Sequence, residues 1–207
     1  MKVLLLSDQV LDHIYNNSLQ ERMSNIDFII SCGDLPSYYL EFIVTTLNKP
    51  LFYVMGNHNK TTIYSEKGIE SNLPEGCINL DQKIIKYKGI ILMGLEGSIK
   101  YGEGNYQYTD TQMCWKINKL KPRLIVNKIF NKRYLDILVT HAPPYKIHDK
   151  EDLCHRGFKC FTKFIKDFRP KYLIHGHIHI YGTEKNWLTV VNSTKVINAY
   201  GYRIIEI

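Results

Sequence analysis

Short apolar runs that stop abruptly at a polar residue set the rhythm of this chain. Val3 to Leu6 runs into Ser7-Asp8, Phe28 to Ile30 into Ser31-Cys32-Gly33-Asp34, Leu51 to Val54 into Met55-Gly56-Asn57-His58, Ile137 to Val139 into Thr140-His141, and Tyr172 to Ile174 into His175-Gly176-His177-Ile178-His179. Runs this short and apolar predict buried strands, over residues 2–6, 27–31, 51–54, 135–139 and 171–174. Between the second and third, Leu40, Ile43, Val44 and Leu47 recur at helical spacing and predict a helix over 38–47, ended by Asn48-Lys49-Pro50. A helix joining two such strands is a crossover, which makes them parallel. The pattern also predicts a short helix around 19–23 and strands at 83–87 and 90–93 joined by a Lys88-Gly89 turn. Residues 94–108 are rich in Gly and Tyr, follow no regular period and read as a long functional loop. Thr109 to Gln112 reads as a capping box opening a helix to about 120, and Pro122 suits the start of a separate helix over 123–132. After a polar loop at 148–157, Phe158, Phe161, Phe164, Ile165 and Phe168 form one face of a further helix, and β runs near 188–191, 195–197 and 202–207 close the chain. The expected class is α/β. No linker, repeat or low-complexity stretch interrupts 1–207, so a single domain is expected.

Composition adds boundaries rather than a function. With 207 residues, 44% hydrophobic and 23% charged, the chain can bury one sizeable core. Five cysteines, with no C-x-x-C pair, indicate neither a disulfide framework nor a zinc ribbon. Only four apolar residues stand between Lys2 and Ser7, too few for a signal-peptide core or a membrane span, so a cytoplasmic protein without membrane contact is expected. The net charge of +7 raises nucleic acid as a partner. The charge is dispersed, however, and its densest patches, around Lys116, Lys121 and Arg123 and from Lys128 to Arg133, fall on expected helices, where a solvated basic face is the plainer reading.

The strand ends carry the chemistry. Any one Asp or His after an apolar run is an ordinary polar residue, but five runs that all end in metal-ligand types point to a metal site at the C-terminal edge of a sheet. In order, Asp8, Gly33-Asp34, Gly56-Asn57-His58-Asn59, Thr140-His141 and Gly176-His177-Ile178-His179 resemble the calcineurin-like metallophosphoesterase superfamily, whose pattern is D-x-H, G-D, G-N-H-[DE], H and G-H-x-H. The resemblance implies a sandwich of two mixed β-sheets flanked by helices and a dinuclear metal site. It implies that Asp34 bridges two divalent transition-metal ions (Mn, Fe, Zn or Ni), that Asn57, His141 and His177 complete one and that Asp8 and His179 serve the other. It further implies attack on a phosphoester by metal-activated hydroxide, with His58 outside the metal shell as the catalytic acid. His175 matches no ligand position and is expected to pack behind the site.

Two departures stand out. Val10 occupies the place of the D-x-H histidine, so one ion lacks a ligand that Asp12, His13 or water would replace unless that site goes unfilled, and Asn59 stands where Asp or Glu is usual. The sequence after Gly33-Asp34 does not continue as in the phosphoprotein phosphatases, and the chain looks more like the small prokaryotic metallophosphoesterases. Lys100, His155 and Arg156 are candidate phosphate contacts of the substrate, and Tyr101, Tyr106 and Tyr108 candidates for stacking on its base or ring. The expected partner is a small phosphoester, mono- or diester. The alternative is a catalytically degenerate member of the superfamily acting as a binding scaffold.

Overall fold

A computed structural model describes residues 1–65, 68–181 and 186–207. The chain runs β1 (Lys2–Ser7), α1 (Leu19–Met23), β2 (Phe28–Ser31), α2 (Ser37–Leu47), β3 (Leu51–Tyr53), β4 (Thr62–Ser65), β5 (Gly68–Ser71), β6 (Ile78–Asn79), β7 (Ile84–Tyr87), β8 (Ile90–Leu95), β9 (Ser98–Ile99) and β10 (Gln107–Tyr108). It continues through α3 (Asp110–Asn131), β11 (Ile137–Thr140), α4 (Lys159–Phe168), β12 (Tyr172–His175), β13 (Leu188–Val191), β14 (Thr194–Asn198) and β15 (Gly201–Glu206).

The apolar runs form the centres of two sheets. One has the order β15-β1-β2-β3-β6 and the other β13-β14-β12-β11-β8-β7. The crossover expected through 38–47 exists as α2, and β1, β2 and β3 are parallel. The hairpin on Lys88-Gly89 pairs β7 with β8 antiparallel. Because each central strand is buried on both faces, its residues divide between two cores. Val3, Leu5, Phe28, Ile30 and Phe52 pack with Leu92, Ile137, Val139 and Ile174 between the sheets. Leu4, Leu6 and Ile29 instead face Tyr39, Leu40 and Ile43 of α2. The aromatic face of α4 joins Met113, Ile117, Leu120 and Leu124 of α3 over the second sheet. Among the described residues no helix is long and apolar enough to cross a membrane.

Three sequence expectations change. The two helices expected around Pro122 are one, α3, with Pro122 inside it. A proline there costs a hydrogen bond and a steric clash, roughly 3 kcal/mol, but Leu120 and Leu124 lie one turn apart on the same buried face, and their packing carries the helix across the exposed proline. Residues 94–108 are not wholly irregular, since β8 extends to Leu95 and β9 and β10 pair in parallel. Finally, Lys116 does not belong to a solvated face. It is buried, with its Nζ 3.0 Å from Asp81 and 3.1 Å from Glu96, and 4.1 Å from the centre of the Tyr108 ring.

Candidate metal centre

Five strands deliver the polar residues that follow them to one rim. Asp8 follows β1, Asp34 follows β2, Asn57 and His58 follow β3, His141 follows β11, and His177 and His179 follow β12. The turns needed are tight. Asp8, Asp34 and His177 all adopt left-handed backbone, with φ of 64, 54 and 66°, a conformation costing on the order of 1 kcal/mol or more for a residue with a side chain. Glycine makes the close approaches possible: a Cβ on Gly56 would overlap Asp34 Oδ1, and one on Gly176 would overlap Ser7 Oγ. Asn59, in the place of the usual acid, holds two of these turns together by accepting from Asp34 N at 2.9 Å and Gly56 N at 2.7 Å.

The two buried histidines have defined roles for each nitrogen. His141 Nδ1 lies 2.7 Å from Cys32 O and His177 Nε2 lies 2.7 Å from Cys154 O. Backbone carbonyls only accept, so each of those nitrogens carries the proton, and the other nitrogen of each ring presents its lone pair. Those two free nitrogens face one another at 3.1 Å. Asn57 Oδ1 is 2.9 Å and Asp34 Oδ2 3.3 Å from the same His141 Nε2. The Asn57 amide is turned that way because its Nδ2 donates to Tyr101 Oη at 2.8 Å. With both rings neutral, four acceptor atoms converge with no donor among them, which fits a cation. Ligand atoms of Asp34, His141 and His177 lie within 4.8 Å of one another. Without a cation, a second proton on His141 fills the role: burial pushes its pKa down, but the Asp34 carboxylate outweighs that and raises it to about 9. His177 is lowered to about 3, by burial and then by His141, and stays neutral.

The second group of ligand types is thinner. Asp8 is buried, both its carboxylate oxygens accept from His177 N (3.2 and 2.9 Å), and Oδ1 is 3.8 Å from His179 Nε2. Burial raises the Asp8 pKa. The His179 ring stacks on Tyr200 and its Nδ1 is 2.9 Å from Tyr181 Oη. Val10 packs against the cluster around α1 and α2. Neither residue considered as its replacement lines the pocket: Asp12 is exposed and the His13 ring packs on Tyr202.

Asp8, Asp34, His58, His155, His177 and His179 line one cavity of about 290 Å³. His58 is exposed at its rim and its backbone N–H donates to Asp34 Oδ1 at 2.9 Å. His155 is held by Asp152, whose Oδ1 is 2.8 Å from Nδ1 and 3.0 Å from the backbone N, and its ring lies beside His177 in the cavity wall. The other substrate candidates lie outside this lining. Lys100 is exposed, and Arg156 donates to Glu151 O. Tyr106 packs against the α1–α2 cluster, and the Tyr108 hydroxyl donates to Glu96 while its ring meets Lys116, so the stacking expected of this pair gives way to structural contacts. His175 is buried behind the site, its Nε2 2.9 Å from His148 Nδ1. His148, which in turn meets Thr189 Oγ1 at 2.8 Å, had no sequence signal beyond a lone histidine in a loop.

The fold has known counterparts. The chain is similar to TT1561 of Thermus thermophilus, with 16% identity over 97% of this chain and 89% of that one and a TM-score of 0.62. A hypothetical protein from the same organism gives 13% identity, coverage of 96% and 75%, and a TM-score of 0.51. A novel archaeal phosphodiesterase gives 16% identity, coverage of 99% of both chains and a TM-score of 0.49. At such identities the likeness concerns the fold alone, and it rests on the two higher scores. No curated protein matches the sequence. The family model of calcineurin-like phosphoesterases matches residues 1–181, a span that contains every strand-end residue described above. The chain belongs to the calcineurin-like phosphoesterase family.

Proposed function

We propose that this protein is a phosphoester hydrolase that holds two divalent transition-metal ions (Mn, Fe, Zn or Ni) at the strand ends and acts on a small mono- or diester. The observation that carries the reading is the convergence of Asp34 Oδ2, Asn57 Oδ1, His141 Nε2 and His177 Nδ1, each able to present a lone pair to one point. Imidazole, amide and carboxylate together suit first-row transition metals better than Mg or Ca. Asn57, His141 and His177 would hold one ion, Asp8 and His179 the other, with Asp34 shared. Bound there, such ions supply Lewis acidity toward phosphoryl oxygens and lower the pKa of water.

The remaining chemistry belongs to the side chains. The carbonyls of Cys32 and Cys154 fix the ring orientation of His141 and His177, so the site is organised before loading. His58, at the cavity rim and joined to Asp34 through its own N–H, would donate a ring proton to the leaving-group oxygen. His155, oriented by Asp152, supplies a hydrogen-bonding nitrogen to the phosphoryl group from another wall of the cavity.

One observation favours a second reading. Val10 removes a ligand from the ion beside Asp8, as a binding scaffold would tolerate. Metal analysis of the purified protein, followed by hydrolysis of a panel of model mono- and diesters with Mn, Fe, Zn or Ni added, separates the two. Turnover that follows metal content supports the hydrolase, and metal-loaded protein without turnover on any ester supports the scaffold.

A further inference from the structure

Helix α3 is apolar on two opposite sides. Met113, Ile117, Leu120 and Leu124 point into the core. At about 100° per residue, Ile125 and Ile129, with Val126 and Phe130 beside them, fall on the far side. They are 54, 60, 50 and 78% exposed, and Trp115, 65% exposed, extends the same side toward the helix start. Outward residues on a helix of this kind are ordinarily polar, and a cluster of large apolar side chains there marks an interaction surface.

The rim is basic. Lys119, Lys121, Arg123, Lys128 and Lys132 flank the ridge, and no Asp or Glu occurs between Asp110 and Asp136, while Arg133 pairs with Asp136. Lys86 adds a further cation at the C-terminal end of the helix, where its Nζ meets Asn131 Oδ1 at 2.9 Å. A second copy of a chain of net charge +7 would bring the same cations against these, which disfavours self-association. A basic rim round an aliphatic and aromatic ridge matches a helix that lies in the plane of an anionic bilayer, its apolar residues among the acyl chains and its lysines at the headgroups.

We propose that the outward face of α3, through Ile125, Val126, Ile129 and Phe130, docks the protein peripherally on anionic phospholipid membranes. Such a surface needs no membrane span, so the short apolar N-terminus does not bear on it. The cavity between Asp8 and His179 lies at the C-terminal strand ends and shares no residue with the ridge.

The test is cosedimentation of the intact protein with vesicles of phosphatidylcholine alone and of phosphatidylcholine with phosphatidylglycerol. Binding is expected only to the anionic vesicles, with a blue shift of Trp115 emission, judged against a Trp115→Phe variant because Trp187 also emits. Ile129→Ser with Phe130→Ser and, separately, Lys128→Glu with Lys132→Glu should each lower vesicle affinity at least tenfold while the far-ultraviolet spectrum and metal content stay as in the wild type. Absence of wild-type binding overturns the proposal. So does loss in the charge variant alone, which would indicate a polyanion such as nucleic acid. A wild-type dimer that the serine variant converts to monomer would assign the ridge to a second copy and overturn it as well.

Discussion

His141 is the residue on which the site's behaviour with pH turns. Its folded pKa of about 9 lies above the ordinary histidine value of about 6.5, so without metal its charge stabilises the fold fully below that lower value. The contribution disappears as pH rises through the folded value. A cation must displace this proton. Loading at neutral pH should therefore release close to one proton per chain, and affinity should rise with pH until His141 is neutral; calorimetry in two buffers of different ionisation enthalpy measures it, and binding without proton release sinks the account. His58→Ala should keep its metal and lose turnover by roughly 10² to 10⁴, the range of general acid catalysis. The loss should be smaller for a nitrophenolate leaving group than for an alcohol. An equal loss for both would give His58 a structural role. Val10→His should tighten the weaker of two ions, which metal titration of the apoprotein detects as a narrowing of two unequal affinities. Two ions of equal affinity in the wild type would refute it.

At the scale of elements, the strand-exit turns are the exacting parts. The Cβ of Gly176→Ala would strike Ser7 and Asp8, forcing apart β1 and the turn that carries His177. Metal content should fall with stability, the latter by about 1–3 kcal/mol as for overpacking of a tight site; thermal unfolding and metal analysis together decide, and unchanged values for both would show that the turn yields. The crossover helix α2, the β7–β8 hairpin and the aromatic face of α4 were legible because each is a local period or turn. Helix α3 was misread because proline punctuation is local, whereas the packing of Leu120 and Leu124 that overrides it is not.

Across the whole molecule, the end opposite the metal centre is tied by Asp136 just before β11. Its carboxylate accepts from Ile91 N at 3.0 Å and from Arg133 Nε at 2.8 and 2.9 Å, and meets Lys171 at 3.1 Å. Burial pushes its pKa up, but the Ile91 N–H and the two cations outweigh burial and hold it below the usual range. A depressed carboxylate stabilises the fold above its unfolded value of about 4, and the contribution is lost as pH falls through the folded value. Asp136→Asn should cost about 1–3 kcal/mol at neutral pH, and the gap from the wild type should close in acid. Denaturant titrations across that range test it, and a gap independent of pH would remove the charge from the explanation.

What the sequence by itself determined is the alternation of apolar runs with Asp, Asn and His at their ends, and hence the parallel strands and the ligand types at their C-terminal ends. Both follow from nearest neighbours in the chain and need no partner to be read. Asp34, Asn57, His141 and His177 were recognisable in that way. The tertiary structure decided which nitrogen of each imidazole is free, because Cys32 O and Cys154 O come from distant segments. It decided that Lys116 is buried between Asp81 and Glu96 rather than solvated, and that Asp12 and His13 lie away from the cavity. It also decided that Ile125, Val126, Ile129 and Phe130 face outward, since helical spacing gives a residue's side of the helix but only the fold gives the side that meets the core.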